Sequence, residues 1–104
     1  MGKYEIKFTR KASEDIVDIG DYITYVLLEP DTSYHFIKGL KQSILQLSYF
    51  PRKFPVVQDE EIKKKDIRCM PYKNYYIFYQ IMDDRHLIII LRVGYNKRNW
   101  NKIL

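Results

Sequence analysis

Tyr75-Tyr76-Ile77-Phe78-Tyr79-Gln80-Ile81, then Met82-Asp83-Asp84-Arg85-His86, then Leu87-Ile88-Ile89-Ile90-Leu91-Arg92-Val93: this succession decides the fold. The outer segments are rich in β-branched and aromatic residues, which suit a pleated, half-buried surface, so each reads as a strand. The polar residues between them supply a turn, and the two strands form a hairpin. Residues 87–93 are apolar on both faces and belong in the interior of the sheet, as its central strand.

Working outward, Asp66-Ile67-Arg68-Cys69-Met70 is a third strand-like segment. Before it, residues 51–61 hold Pro51, Pro55 and the acidic run Asp59-Glu60-Glu61, and read as an ordered loop. Further upstream the period becomes helical. Ile37, Leu40, Ile44 and Leu47 form one stripe, ending near Phe50-Pro51. Ala12, Ile16, Ile19, Ile23, Val26 and Leu27 form another, which Thr9 can cap. Between the stripes, Pro30-Asp31-Thr32 is a break with Asp31 as a fresh cap, so the helices form an antiparallel hairpin. Tyr4-Glu5-Ile6-Lys7-Phe8 alternates apolar with charged, the pattern of a strand with one buried face. The tail from Tyr95 is polar and basic around Trp100 and reads as a loop or a short last helix. The order β-α-α-β-β-β predicts an α+β fold in which an N-terminal strand and a two-helix hairpin accompany a twisted antiparallel sheet. At 104 residues the chain can close one hydrophobic core, so residues 1–104 are taken as one domain.

Aromatics make up 15% of the chain, with ten tyrosines, which argues for a packed globule against disorder. The longest apolar run, Leu87 to Leu91, is far short of the roughly 20 residues that span a bilayer, and no hydrophobic signal segment follows Met1. Ile6 stands where a myristoylation motif wants Ser or Thr. The expectation is a soluble, cytoplasmic protein. The lone Cys69 fits a reducing compartment and a small core residue. Charge is uneven: residues 1–50 carry six Lys/Arg against seven Asp/Glu, residues 51–104 twelve against six. The second half would therefore attract an anionic partner, either nucleic acid or an acidic protein, unless it is simply a solvated basic surface.

Several chemistries are missing from the sequence. It holds no Gly-rich phosphate loop, no His-Glu-x-x-His and no Gly-x-Ser-x-Gly. His35 and His86 lie 51 positions apart and read as surface or structural residues. What remains is a basic and aromatic set: Lys63, Lys64, Lys65, Arg68, Tyr72, Lys73, Arg92, Tyr95, Lys97, Arg98 and Trp100. Arg offers fixed bidentate donors to phosphate, and Tyr and Trp offer flat faces for bases, so an RNA-binding surface is a candidate. Tyr75, Phe78 and Tyr79, at strand spacing, are read as core.

The succession Ala12…Asp21-Tyr22-Ile23, Glu29-Pro30, Phe36, Leu40, Ile44-x-x-Leu47, Phe50-Pro51, Ile67-Arg68, Tyr75-x-Ile77-x-Tyr79, Asp83-Asp84, Ile90-Leu91-Arg92-Val93 and Lys97-Arg98-Asn99-Trp100 resembles the RelE/ParE toxins along nearly the whole chain. That resemblance implies a helical hairpin against a twisted sheet, and a toxin held in check by a cognate antitoxin. It also implies one of two activities. RelE-like members cleave mRNA in the ribosome; ParE-like members inhibit DNA gyrase. The first is placed ahead of the second, with an inactive or non-toxic binding module as the third reading.

In the RNases the mRNA 2′-hydroxyl attacks the adjacent phosphate, which needs a proton acceptor and nearby cations, and no metal or other cofactor. Carried over by resemblance, Arg68, Tyr95 and Arg98 are the catalytic candidates. Arg68 and Arg98 would stabilise charge, being too basic to accept a proton, and Tyr95 would need neighbouring cations to act as base. Lys63, Lys64, Lys65, Lys73, Arg92 and Lys97 are the phosphate-binding candidates. The chain departs from the RNase pattern where Tyr76 replaces an Arg and in lacking the RNases' own closely spaced lysine pair, and Glu29-Pro30 is closer to the ParE side.

Overall fold

In the computed structural model, which describes residues 3–95, Trp100 and Leu104, the hairpin forms where the apolar runs place it. β3 (Tyr75–Met82) and β4 (Leu87–Tyr95) pair antiparallel around a tight 3-10 turn at Asp83–Arg85, closed by His86 at φ 53°. Phe78 faces Arg92 while Tyr79 faces Ile90, so Leu91 is an extra residue that bulges β4. β2 (Arg68–Tyr72) adds to the free edge of β3 in antiparallel register, Arg68 opposite Tyr79 and Tyr72 opposite Tyr75. β1 (Glu5–Phe8) pairs with β4, giving the order β1-β4-β3-β2, with residues 87–93 in an interior strand.

The β1–β4 pair is parallel, Glu5 opposite Leu87 and Phe8 opposite Ile90, so the sheet is mixed and only its other three strands are antiparallel. A helical segment long enough to cross the sheet separates β1 from the rest, and such a crossover permits parallel pairing.

Helix α1 (Arg10–Asp21) starts at Thr9, whose side chain accepts from the Ala12 amide at 3.0 Å and donates to the Leu91 carbonyl at 2.9 Å. Ala12, Ile16, Ile19 and Ile23 are buried as the stripe requires, but Val26 and Leu27 are 63% and 47% exposed. The cause is local: Tyr22–Val26 is a π-helical turn, with the Leu27 amide donating to the Tyr22 carbonyl, and the wider turn swings the last two apolar residues off the core face. Leu28 then turns the chain at φ 57°.

Helix α2 (Pro30–Leu45) has Pro30 in its first turn and Glu29 as its cap, one step before the expected break, while Asp31 lies inside the first turn, where the helix dipole favours it. The Ser33 hydroxyl donates to the Gly20 carbonyl at 2.9 Å and ties the two helices together. Leu40, Ile44 and Leu47 pack with Met70, Ile77, Tyr79, Ile88, Ile90 and Val93 in the main core. Phe78 and Tyr79 are buried as expected, Tyr75 only partly.

The opposite face of the sheet has a core of its own. Ile62, Ile67, Cys69 and Phe78 are buried there, with Trp100 and Leu104 packed against them. The expectation of a loop or short helix for the tail falls largely on residues 96–99 and 101–103, outside the described residues.

Candidate functional site

Arg68 begins β2 at the edge of the sheet. Its Nη1 donates to the Phe54 carbonyl at 2.6 Å, and its backbone bridges to Val56, so this guanidinium fastens the loop that follows α2. Beside it, the buried Tyr79 hydroxyl donates to the Pro51 carbonyl at 2.7 Å. Burial pushes the Tyr79 phenol up to about 12, against the lowering influence of Arg68.

Arg92, on β4, is held as well. Its Nε and Nη2 reach the two carboxylate oxygens of Asp15 at 2.8 and 3.0 Å, and one of those oxygens also accepts from the Val93 amide at 2.9 Å. This largely buried fork pins α1 to β4, and the hydrogen bonds to Asp15 raise the Arg92 pKa above its ordinary value.

The lysines are scattered over local partners. Lys63 pairs with Glu60 at 3.6 Å, and Lys65 donates to the Leu104 carbonyl at 2.9 Å. Lys64 shares their 3-10 turn and is exposed. Lys73, at φ 55° in the β2–β3 turn, holds its ammonium over the rings of Phe36 and Tyr72 at 5.9 and 5.7 Å. Lys97 and Arg98 lie outside the described residues.

Tyr95 ends β4, 60% exposed, in the row Tyr72–Tyr75–Tyr95 across three strands. Arg68 lies on β2 four positions from that row. At about 3.3 Å per residue and about 4.8 Å per strand, the Cα atoms of Arg68 and Tyr95 stand roughly 16 Å apart. Their side chains hold different partners, Arg68 the Phe54 carbonyl and Tyr95 the ring of Tyr75. No group of three or more His, Cys, Asp or Glu side chains able to hold a metal ion occurs among the described residues, and no helix there is long and apolar enough to cross a membrane.

Tyr95 instead helps to form a cleft of about 710 Å³ at one end of the sheet. Ile19, Tyr22, Ile23 and Leu27 supply one wall, and Asn74, Tyr75 and Tyr95 the other, with Asp18 and Thr32 at its margins. Tyr95 meets Tyr75 edge-on at 5.4 Å, and Phe36 meets Tyr75 likewise at 5.1 Å. Burial, and then the neighbouring phenols of Tyr95 and Tyr22, raise the Tyr75 pKa above its ordinary value. Tyr22, Asp18 and Leu27 were not singled out in the sequence as site residues. Their signal was present in the helical stripe, which is followed at once by Tyr25, Val26, Leu27 and Leu28, more apolar surface than the core accepts.

Residues 6–100 match the family described as the ParE toxin of the type II toxin–antitoxin system parDE. No curated protein matches the chain. Among solved structures, the chromosomal ParDE system of P. aeruginosa superimposes with a TM-score of 0.73 at 17% identity, over 91% of this chain and 98% of that one. The isolated E. coli RelE toxin gives 0.62 at 15% identity, over 97% and 99%. The RelBE2 complex of Mycobacterium tuberculosis gives 0.58 at 21% identity, over 90% and 99%.

Proposed function

Because this chain belongs to the ParE toxin family of type II toxin–antitoxin systems, we propose that it acts in the cytoplasm by inhibiting DNA gyrase and not by cleaving mRNA. It is the toxin half of a pair whose other half is a cognate antitoxin. Gyrase inhibition is the activity that the resemblance to ParE-like members implies.

One observation supports the choice between targets: Arg68 donates to the Phe54 carbonyl, and its Cα lies roughly 16 Å from that of Tyr95. Attack by a 2′-hydroxyl needs its proton acceptor and its charge-stabilising cation within hydrogen-bond reach of a single phosphate, a few ångströms across. With Cα atoms roughly 16 Å apart and the guanidinium turned to the Phe54 carbonyl, Arg68 and Tyr95 do not form a ready-made pair around one phosphate. Arg92, fastened to Asp15, is likewise engaged in holding the fold. Inhibition of a protein target asks for no such convergence; it asks for a stable surface.

The test is to induce the chain in bacterial cells and recover plasmid DNA and mRNA from the same culture. The proposal expects plasmid that has lost negative supercoiling, or that is cleaved, beside intact coding mRNA. Codon-internal cuts in mRNA with normally supercoiled plasmid would overturn it in favour of the RNase reading, with Arg68, Tyr95 and Arg98 as its residues.

A further inference from the structure

The cleft between Tyr22, Tyr75 and Tyr95 runs against the charge of the molecule. The chain carries a net charge of +5. Yet among the described residues no Lys or Arg lines this cleft, and its one charged lining group is Asp18. The Asp18 carboxylate forms no ion pair among the described residues. A phenol ring presents a negative face that attracts cations within about 6 Å of its centroid, and here such rings line the cleft with a carboxylate and the apolar Ile19, Ile23 and Leu27. An anion would meet repulsion from the carboxylate and the ring faces. A guanidinium or ammonium would find both its charge and its apolar stem accommodated.

The chain on either side of Leu27 adds a second observation. Leu28 holds φ 57°, a conformation that favours glycine, and is 77% exposed, with Val26 63% exposed close by in the chain. A leucine kept at a strained position and facing water gains nothing from the folding of this chain alone. A bound partner that covers it would supply the missing burial.

We propose that this cleft receives an arginine or lysine side chain, flanked by apolar residues, from the polypeptide of the antitoxin. The proposal rests on the reading of the chain as the toxin of a type II pair. It makes the antitoxin two-signed: acidic where it meets the basic surface of residues 51–104, cationic at this cleft.

The product of the small reading frame beside this gene, co-expressed and purified with the full chain as its antitoxin, provides the probe. Its affinity is measured for the unsubstituted chain and for Asp18→Asn, Tyr22→Leu and Asp18→Lys. Asp18 and Tyr22 are exposed, and thermal melts verify that each variant is folded. Asp18→Asn and Tyr22→Leu should each weaken binding about 10-fold, and Asp18→Lys about 100-fold, as expected for losing or inverting a partly desolvated charge contact. Replacing each antitoxin Arg and Lys by Met in turn should find one position whose effect disappears in the Asp18→Asn background. Antitoxin that binds all three folded variants as tightly as the unsubstituted chain would overturn the proposal while leaving the toxin reading intact. Failure of the unsubstituted chain to bind that antitoxin would overturn both.

Discussion

Trp100 lies across Gly94: its Cη2 and Cζ2 occupy the space that a Cβ at position 94 would need, with Cζ3 at 3.3 Å. The glycine here answers a close approach, not a turn. The same indole packs against Phe78 at 4.7 Å between centroids, and so closes the second face of the sheet over Ile62, Ile67 and Cys69. Gly94→Ala forces the ring out, and Trp100→Ala uncovers the cluster. Each should cost about 2 kcal/mol, or about 10 °C in Tm. Melts that match the unsubstituted protein would show that this contact contributes nothing.

Asp15 and Arg92 make a partly buried fork in which the carboxylate also satisfies the Val93 amide. Removing one side strands the other. Asp15→Ala and Arg92→Ala should each lose roughly 2–3 kcal/mol in urea denaturation, and the double variant should lose less than the two losses added together. If Arg92 instead served an external phosphate, Arg92→Ala would leave stability unchanged.

Tyr79 contributes to the alkaline decline of the fold's stability. Its phenol is raised by burial from the ordinary value near 10 to about 12, so the unfolded chain loses this proton first. The stability that follows from the shift is complete below about pH 10 and is lost as pH rises toward about 12, to the extent of roughly 2–3 kcal/mol. In Tyr79→Phe that alkaline decline should become shallower, at the expense of about 1 kcal/mol at neutral pH for the unpaired Pro51 carbonyl. Parallel alkaline declines in the two proteins would contradict this.

Leu28 is the position where stability and partner binding should part. Leu28→Gly removes the left-handed penalty and should raise stability by up to about 1 kcal/mol. The same change should weaken the antitoxin complex, since an exposed apolar side chain is lost. A destabilised Leu28→Gly would place the side chain in the service of the fold.

How much of this was legible follows the reach of each signal. The strand runs and the cap at Thr9 announce themselves because alternation and capping are local, and Ile16, Ile19, Leu40 and Ile44 repeat at a helical spacing. Val26 and Leu27 misled because a π-helical turn shifts the register by one residue, which no spacing records. The parallel pairing of β1 depends on where the helices return the chain, a property of the whole path. At the site, Arg68 and Arg92 carry the same side chain as a phosphate binder; only their partners, the Phe54 carbonyl and Asp15, reveal that the fold employs them. The cleft joins Asp18 and Tyr22 to Tyr75 and Tyr95 across more than fifty positions of sequence, and nothing local marks such a meeting.

The most direct measurement is the supercoiling of relaxed plasmid by purified gyrase in the presence of this chain, with Arg68→Ala and Tyr95→Phe assayed beside it. The account predicts that the chain stops supercoiling at concentrations near those of the enzyme, and that both variants, once shown to be folded, stop it as well. Full supercoiling in a large excess of the folded chain would contradict it.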